Sequence, residues 1–245
     1  MRHAYCGRGL VSYACLFLML FSLNDLAIRN VSAAESPALD TKQSAPDAQI
    51  NVKDSFHDAV QAVKDRDFQR AVQLFSALSR TAQYDGQYEA QFNLAVLLKQ
   101  GKGRPQNHAE ALYWARRAEL GGIDKAKDFA DSFSDRVTED QHNEILVRIK
   151  TALLKEVDRG AIETLPQLAT YHITLLDVYD YEQAYLWFAL GAALDLPQQD
   201  IKRTEMEDEL EIEQIATLQG KTTRLFDALL AGESLEDLLR PIEKE

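Results

Sequence analysis

The stretch "LLKQGKGRPQNHAEALYWARRAELGG" (Leu97–Gly122) places a Gly-Lys-Gly turn between two apolar segments. It reads either as a phosphate cradle or as the hinge of a helix pair. A Walker-type loop needs an earlier glycine, a Gly-Lys-Ser/Thr ending and a preceding strand. Here Arg104 and Pro105 follow Gly103, and the segment before Gly101 has helical spacing. Gly101 stands where a residue closing a helix belongs, and Pro105 bars the helix from continuing. Beyond the turn, Ala111, Trp114, Ala115 and Ala118 fall at i, i+3, i+4 and i+7, on one helix face. The turn is a hinge. A second decoy, "QGKTT" (Gln219–Thr223), has Ile215 where the first glycine would be required, and its flanks are helical.

The same period recurs in Phe68, Ala71, Val72 and Phe75, and in Ala184, Trp187, Phe188 and Gly191. No convincing run alternates with period two, so the chain is predicted to be all-α. "AEALYWARRAELGG" (Ala109–Gly122) aligns with "EQAYLWFALGAALD" (Glu182–Asp195) at an offset of 73, matching Ala111 to Ala184 and Trp114 to Trp187. The offset carries on to Gln141 and Gln214, and Leu94-Ala95 matches Leu168-Ala169 after one residue of slip. Repeated units that cannot bury their own faces stack, and the expected architecture is an α-solenoid of antiparallel helix pairs. Thr138 with Gln141, and Ser234 with Asp237, are predicted capping pairs at helix starts. Asp195 and Pro197 separate two further helices.

At these residues the chain resembles the Sel1-like repeat, a relative of the tetratricopeptide repeat. Ala90, Leu94, Gly101, Gly103, Ala111, Trp114, Ala118, Gly122 and Ala126 fall in register with that family's pattern. Ala95, Leu98 and Ala115 depart from it. The second block keeps Leu168, Ala184, Trp187, Phe188 and Ala192, lacks the Gly-x-Gly turn, and has Asp195 in place of the closing glycine. Lys53–Leu78 resembles a degenerate first unit, with Ala71 in the position of Ala111. "RTEMEDELEIEQIATLQ" (Arg203–Gln219) is similar to the helical tail that often follows the last repeat in secreted bacterial members. The best repeat spans 89–126, the second block 163–226, and the repeat domain 53–240. The resemblance implies a bacterial source and a protein- or peptide-binding scaffold.

The N-terminus reads as a leader. Arg2 and Arg8 precede an apolar run, Leu10–Leu23, and "VSAAES" supplies small residues for cleavage after Ala34. Residues 1–34 are therefore expected to be a signal peptide, and 35–52, rich in Pro, Ser, Ala and Asp, a flexible linker. Cleavage places the mature chain in the periplasm or outside the cell, without membrane insertion. The alternative is an uncleaved inner-membrane anchor, although Asn24 and Asp25 end the apolar run short of the roughly 20 residues a span requires. Both cysteines, Cys6 and Cys15, lie in the leader, so the mature chain is expected to have no disulfide, thiol nucleophile or thiolate metal site. Removing Arg2, Arg8, Arg29 and Asp25 from the 27 basic and 39 acidic residues leaves 24 against 38, a net charge of −14. Such a surface repels polyanions, and nucleic acid is not an expected partner.

Histidines 57, 108, 142 and 172 are scattered, with no pair at i, i+3 or i+4, so no metal or cofactor is expected. Ser-x-x-Lys, Lys-Thr-Gly and Gly-x-Ser-x-Gly are all missing from the sequence, and with them the β-lactam-directed chemistry of some cysteine-rich members of the resembled family. The expected protein is not an enzyme and has no catalytic residues. Two surface features remain. Glu205, Glu207, Asp208, Glu209, Glu211 and Glu213 form a dense acidic run, read as a solvated helix face or, more sharply, as a docking patch for a basic partner. Tyr171, Tyr179, Tyr181 and Tyr185 gather around one turn, as core packing or as an aromatic grip. Glu207, Asp208, Glu209, Tyr179 and Tyr181 are thus the candidate protein-binding residues. The expectation is an exported adaptor or regulator in the cell envelope. The alternative is an envelope enzyme or enzyme accessory acting near peptidoglycan.

Overall fold

The structure, a computed structural model, describes residues 52–81 and 86–239. The expected signal peptide, and the linker up to residue 51, lie outside the described residues. Among those described are eleven α-helices and two 3-10 turns, with no strand. The helices are α1 (Val52–Lys64), α2 (Phe68–Leu78), α3 (Gln87–Gln100), α4 (His108–Leu120), α5 (Asp124–Asp131), α6 (Glu139–Asp158), α7 (Leu165–Thr174), α8 (Tyr181–Ala193), α9 (Gln199–Glu207), α10 (Ile212–Leu230) and α11 (Leu235–Leu239). α1 packs on α2, α3 on α4 and α7 on α8, and successive pairs stack through α2 on α3, α4 on α6, and α8 on α9 and α10. This is an all-α solenoid of packed helix pairs. A shift of 73 residues lays α4 (108–120) over α8 (181–193), and the first residue of α6, Glu139, over the first of α10, Ile212.

Small residues set the spacing. Ala71, Ala90, Ala111, Ala118, Ala126 and Ala184 are wholly buried, and Leu94, Trp114 and Trp187 pack among them. The helix starts are held by short polar side chains that turn back on the backbone. Asp67, Asn107 and Asp180 accept from the amides of Arg70 (3.2 Å), Glu110 (3.0 Å) and Gln183 (3.0 Å), at the heads of α2, α4 and α8. Thr138 and Gln141 form the reciprocal cap anticipated for α6, and Glu211 with Gln214 repeats it at α10. The start of α11 depends on a distant residue as well as on the local Ser234. Asp158, at the end of α6, accepts from the Ser234 hydroxyl (2.7 Å) and the Leu235 amide (2.9 Å).

The Gly-Lys-Gly turn packs against protein backbone. Gly101 closes α3 in the left-handed region (φ 67°), and the Lys102 amide reaches back to the Leu97 carbonyl (3.0 Å). Gly103 (φ 79°) lies against the first peptide of α2, so closely that a Cβ there would clash with the Phe68 carbonyl. Gly122 (φ 87°) also takes the left-handed conformation after α4, and Asp195 (φ 56°) takes it at the equivalent position after α8. An aspartate tolerates this region better than most residues, so the missing glycine did not change the turn.

Polar interlocks join the pairs. Glu110 accepts from Trp114 Nε1 (2.9 Å) and from both terminal nitrogens of Arg148 on α6 (2.6 and 3.0 Å), and the Arg148 guanidinium lies 3.8 Å from the Tyr113 ring centroid. Arg117, only 2% exposed, donates through Nη2 to both carboxylate oxygens of Glu156 on α6 (2.7 and 2.9 Å). Tyr88 on α3 accepts a hydrogen bond from Gln167 on α7, so the second block touches the first directly. The acidic segment predicted as a helical tail is broken: α9 ends at Glu207 and α10 begins at Ile212.

Two predictions follow from this packing. Gly122→Ala should cost about 1 kcal/mol for the left-handed backbone alone. Gly103→Ala should cost a further ~1–3 kcal/mol, because its new methyl meets a carbonyl rather than open space. Urea unfolding of the two variants measures the difference, and equal losses would contradict the backbone contact. The second concerns Glu110. Burial works against its charge, but the hydrogen bonds and charge of Arg148, with the Trp114 bond, hold the carboxyl below its usual value of 4.5. A depressed folded pKa contributes stability that is present above the unfolded value and lost as pH falls through the folded one. Wild type should therefore exceed Glu110→Gln by about 1 kcal/mol near neutrality, modest because Arg148 is half exposed. That gap should close below about pH 4 in denaturant titrations.

Candidate protein-binding edge

The turn between α7 and α8 presents its side chains outward. Val178 is 83% exposed and Tyr179 53%, while Tyr181, the first residue of α8, is half-buried. The Tyr179 and Tyr181 rings meet edge-on with centroids 6.1 Å apart. Tyr171 and Tyr185 are buried and belong to the core, so the four-tyrosine grip reduces to two. Asp180 fixes the turn from both sides. Its amide donates to the His172 carbonyl (3.0 Å), its Oδ1 caps α8, and its Oδ2 lies 3.7 Å from His172 Nδ1.

The acidic run straddles the turn from α9 to α10 and is not one continuous face. Glu207 ends α9, half-buried, with Arg203 Nε 3.4 Å away. Asp208 and Glu209 are exposed in the turn, and Glu211 caps α10. Two links bring this turn beside the tyrosines. Gln214, in the first turn of α10, donates to Glu182 Oε1 at the head of α8 (2.7 Å). Below them, the Tyr185 hydroxyl is raised by burial, eased by a hydrogen bond to Gln219 and pushed up again by Glu207. Tyr179, Tyr181, Asp208 and Glu209 thus stand on neighbouring turns. Sequence reading missed Val178, which follows Asp177, and Ile212, which lies between Glu211 and Glu213; both are exposed. An apolar residue between Asp177 and Tyr179, in a segment too short for a helix, was the available signal for Val178.

Carboxylates around exposed apolar and aromatic side chains attract a cationic group and offer it a ring face. Among the described residues, no group of three or more His, Cys, Asp or Glu is placed to hold a metal ion. None of the described helices is long and apolar enough to cross a membrane.

The Sel1 repeat family matches residues 89–122 and 176–196. The chain is a Sel1-like repeat protein. The first match covers α3, the Gly-Lys-Gly turn and α4, and the second covers the Val178–Tyr179 turn and α8. Each match therefore contains one turn and the helix after it, and α7 lies outside the second. The α1–α2 pair lies outside both matches. No curated protein and no solved structure matches the chain at a significant level. Sel1 repeats mediate protein–protein interaction.

Asp180→Ala should remove the cap of α8 and the tie to His172, costing about 1 kcal/mol. Asp180→Asn, which keeps an acceptor oxygen, should recover most of that loss. Thermal unfolding of the pair checks it, and an unchanged alanine variant would show that the turn is held by other means.

Proposed function

We propose that this chain is an exported adaptor of the cell envelope that binds a basic segment of a partner protein along the Tyr179–Tyr181 and Asp208–Glu209 turns. The observation that carries the reading is the Gln214–Glu182 hydrogen bond, which sets the acidic turn beside the exposed tyrosine turn. Sel1 helices supply the scaffold, and the partner contributes Lys or Arg for the carboxylates and an apolar residue for Val178 and Tyr179. The export reading rests on the leader-like Leu10–Leu23 run and the small residues before Ala34.

Cross-linked capture from the native envelope, followed by mass spectrometry, tests this. Charge reversal at Asp208 and Glu209 should abolish capture of the partner with the unfolding temperature unchanged. The same reversal at Glu139 and Asp140, exposed at the start of α6, should not. Equal capture by both variants would refute the edge.

A further inference from the structure

The two blocks set a tryptophan at the same position of α4 and α8 but treat its indole differently. In the first block the Glu110 carboxylate accepts from Trp114 Nε1 (2.9 Å) and from both terminal nitrogens of Arg148 (2.6 and 3.0 Å). The offset of 73 lays Gln183 over Glu110, Trp187 over Trp114 and Lys221 over Arg148. α10 packs on α8 as α6 packs on α4, so Lys221 and Trp187 belong to one seam. This seam keeps the donors and loses the carboxylate. Trp187 has no exposed surface, and its Nε1 has no hydrogen-bond partner among the described residues. Lys221 is half-buried and forms no ion pair with a described residue. The neighbouring Glu182 does not stand in for the missing acid, since its Oε1 is engaged by Gln214 (2.7 Å). The other ionic link of the first seam has turned apolar in both members, with Leu190 and Leu229 in place of Arg117 and Glu156. At the tryptophan only the acid is replaced, and the cation remains.

We propose that the α8–α10 seam binds a carboxylate from outside the chain, received by Trp187 Nε1, Lys221 and the Gln183 side-chain amide in the place that Glu110 fills in the first block. A buried N–H without a partner bears the full cost of its lost hydration, and a carboxylate oxygen removes that cost. Lys221 supplies the opposite charge, and hydrogen bonds to an ionised acceptor are the strong ones. Gln183 offers its Nε2 as a further donor, which a glutamate at that position would lack. The recognised group is the same whether a chain end, an Asp or Glu side chain or a small acid carries it. Asp208 and Glu209 take no part in this site, so its failure would leave the adaptor reading in place.

The chain has two tryptophans, so the nitrogen–proton correlation spectrum of its indole groups holds one resonance for each. In the full chain, purified as the cell processes it, sodium acetate should move the Trp187 resonance downfield to saturation and leave that of Trp114 in place. Sodium chloride at equal ionic strength should move neither. Gln183→Glu should shift Trp187 downfield without any ligand and remove its response to acetate. Glu110→Gln, with Arg148 still present, should make Trp114 respond. Lys221→Gln should weaken the response of Trp187. N-acetylglycine, as a chain end, and N-acetylglutamic acid α-amide, as a side chain, are titrated beside acetate, and the one acting at the lowest concentration identifies the source. A Trp187 resonance that none of the three moves would overturn the inference. So would equal movement of both tryptophans, an equal effect of chloride, a Gln183→Glu variant that still responds, or an undiminished response in Lys221→Gln.

Discussion

The array depends on helix backbones approaching more closely than any side chain larger than a methyl permits. Ala111 in α4 and Ala184 in α8 have no exposed surface, and Ala71 occupies the corresponding place in α2. Once those contacts are fixed, the larger side chains have defined spaces to fill, and the two tryptophans occupy them. At Gly103 the approach is closer still, a turn against the first peptide of α2, with room for a hydrogen only. Dispersion gains of this kind are small for each atom pair and large in sum, and they vanish with sub-ångström separation. The described helices therefore gain their rigidity from what their sequence omits.

Polar groups then fix which pairs face each other. Alanine faces are interchangeable, and a stack built on them alone could slip by a turn. Glu110 with Arg148, and Arg117 with Glu156, each match one position on α4 to one on α6. The buried Arg117 pair contributes little net energy, since both ions lose their hydration. Its cost would rise steeply in any misaligned stack that left the guanidinium unpaired. Tyr88 and Gln167 perform the same matching between α3 and α7.

The fold was legible because its determinants are local and periodic. Gly101, Pro105 and the alanine–tryptophan spacing identify a helix pair, and the 73-residue offset predicts α8 residue for residue. Thr138 and Gln141 needed only three residues to be read. Long-range pairings were not legible. Arg116 and Arg117 are adjacent arginines on one helix, yet only Arg117 is buried, and Glu156 lies 39 residues away. The tyrosines divided for the same reason: Tyr185 points into the stack and Tyr179 away from it, although both flank one turn. The acidic run looked continuous because glutamate favours helix everywhere, while its break comes from Glu211 and Gln214 closing a new cap.

The Asp158 contact to Ser234 and Leu235 spans 76 and 77 residues and ties the last described helix to the middle of the array. A solenoid joined only by neighbour contacts can fray from its end one unit at a time. Here the end is fastened to α6, with Leu235 and Leu239 buried beside it. Ser234 follows Asp158 by 76 residues, so α6 is synthesised well before the contact that fastens it can form. Opening the array from that end must therefore break the Asp158 contacts as well as the packing of α11 on its neighbour α10.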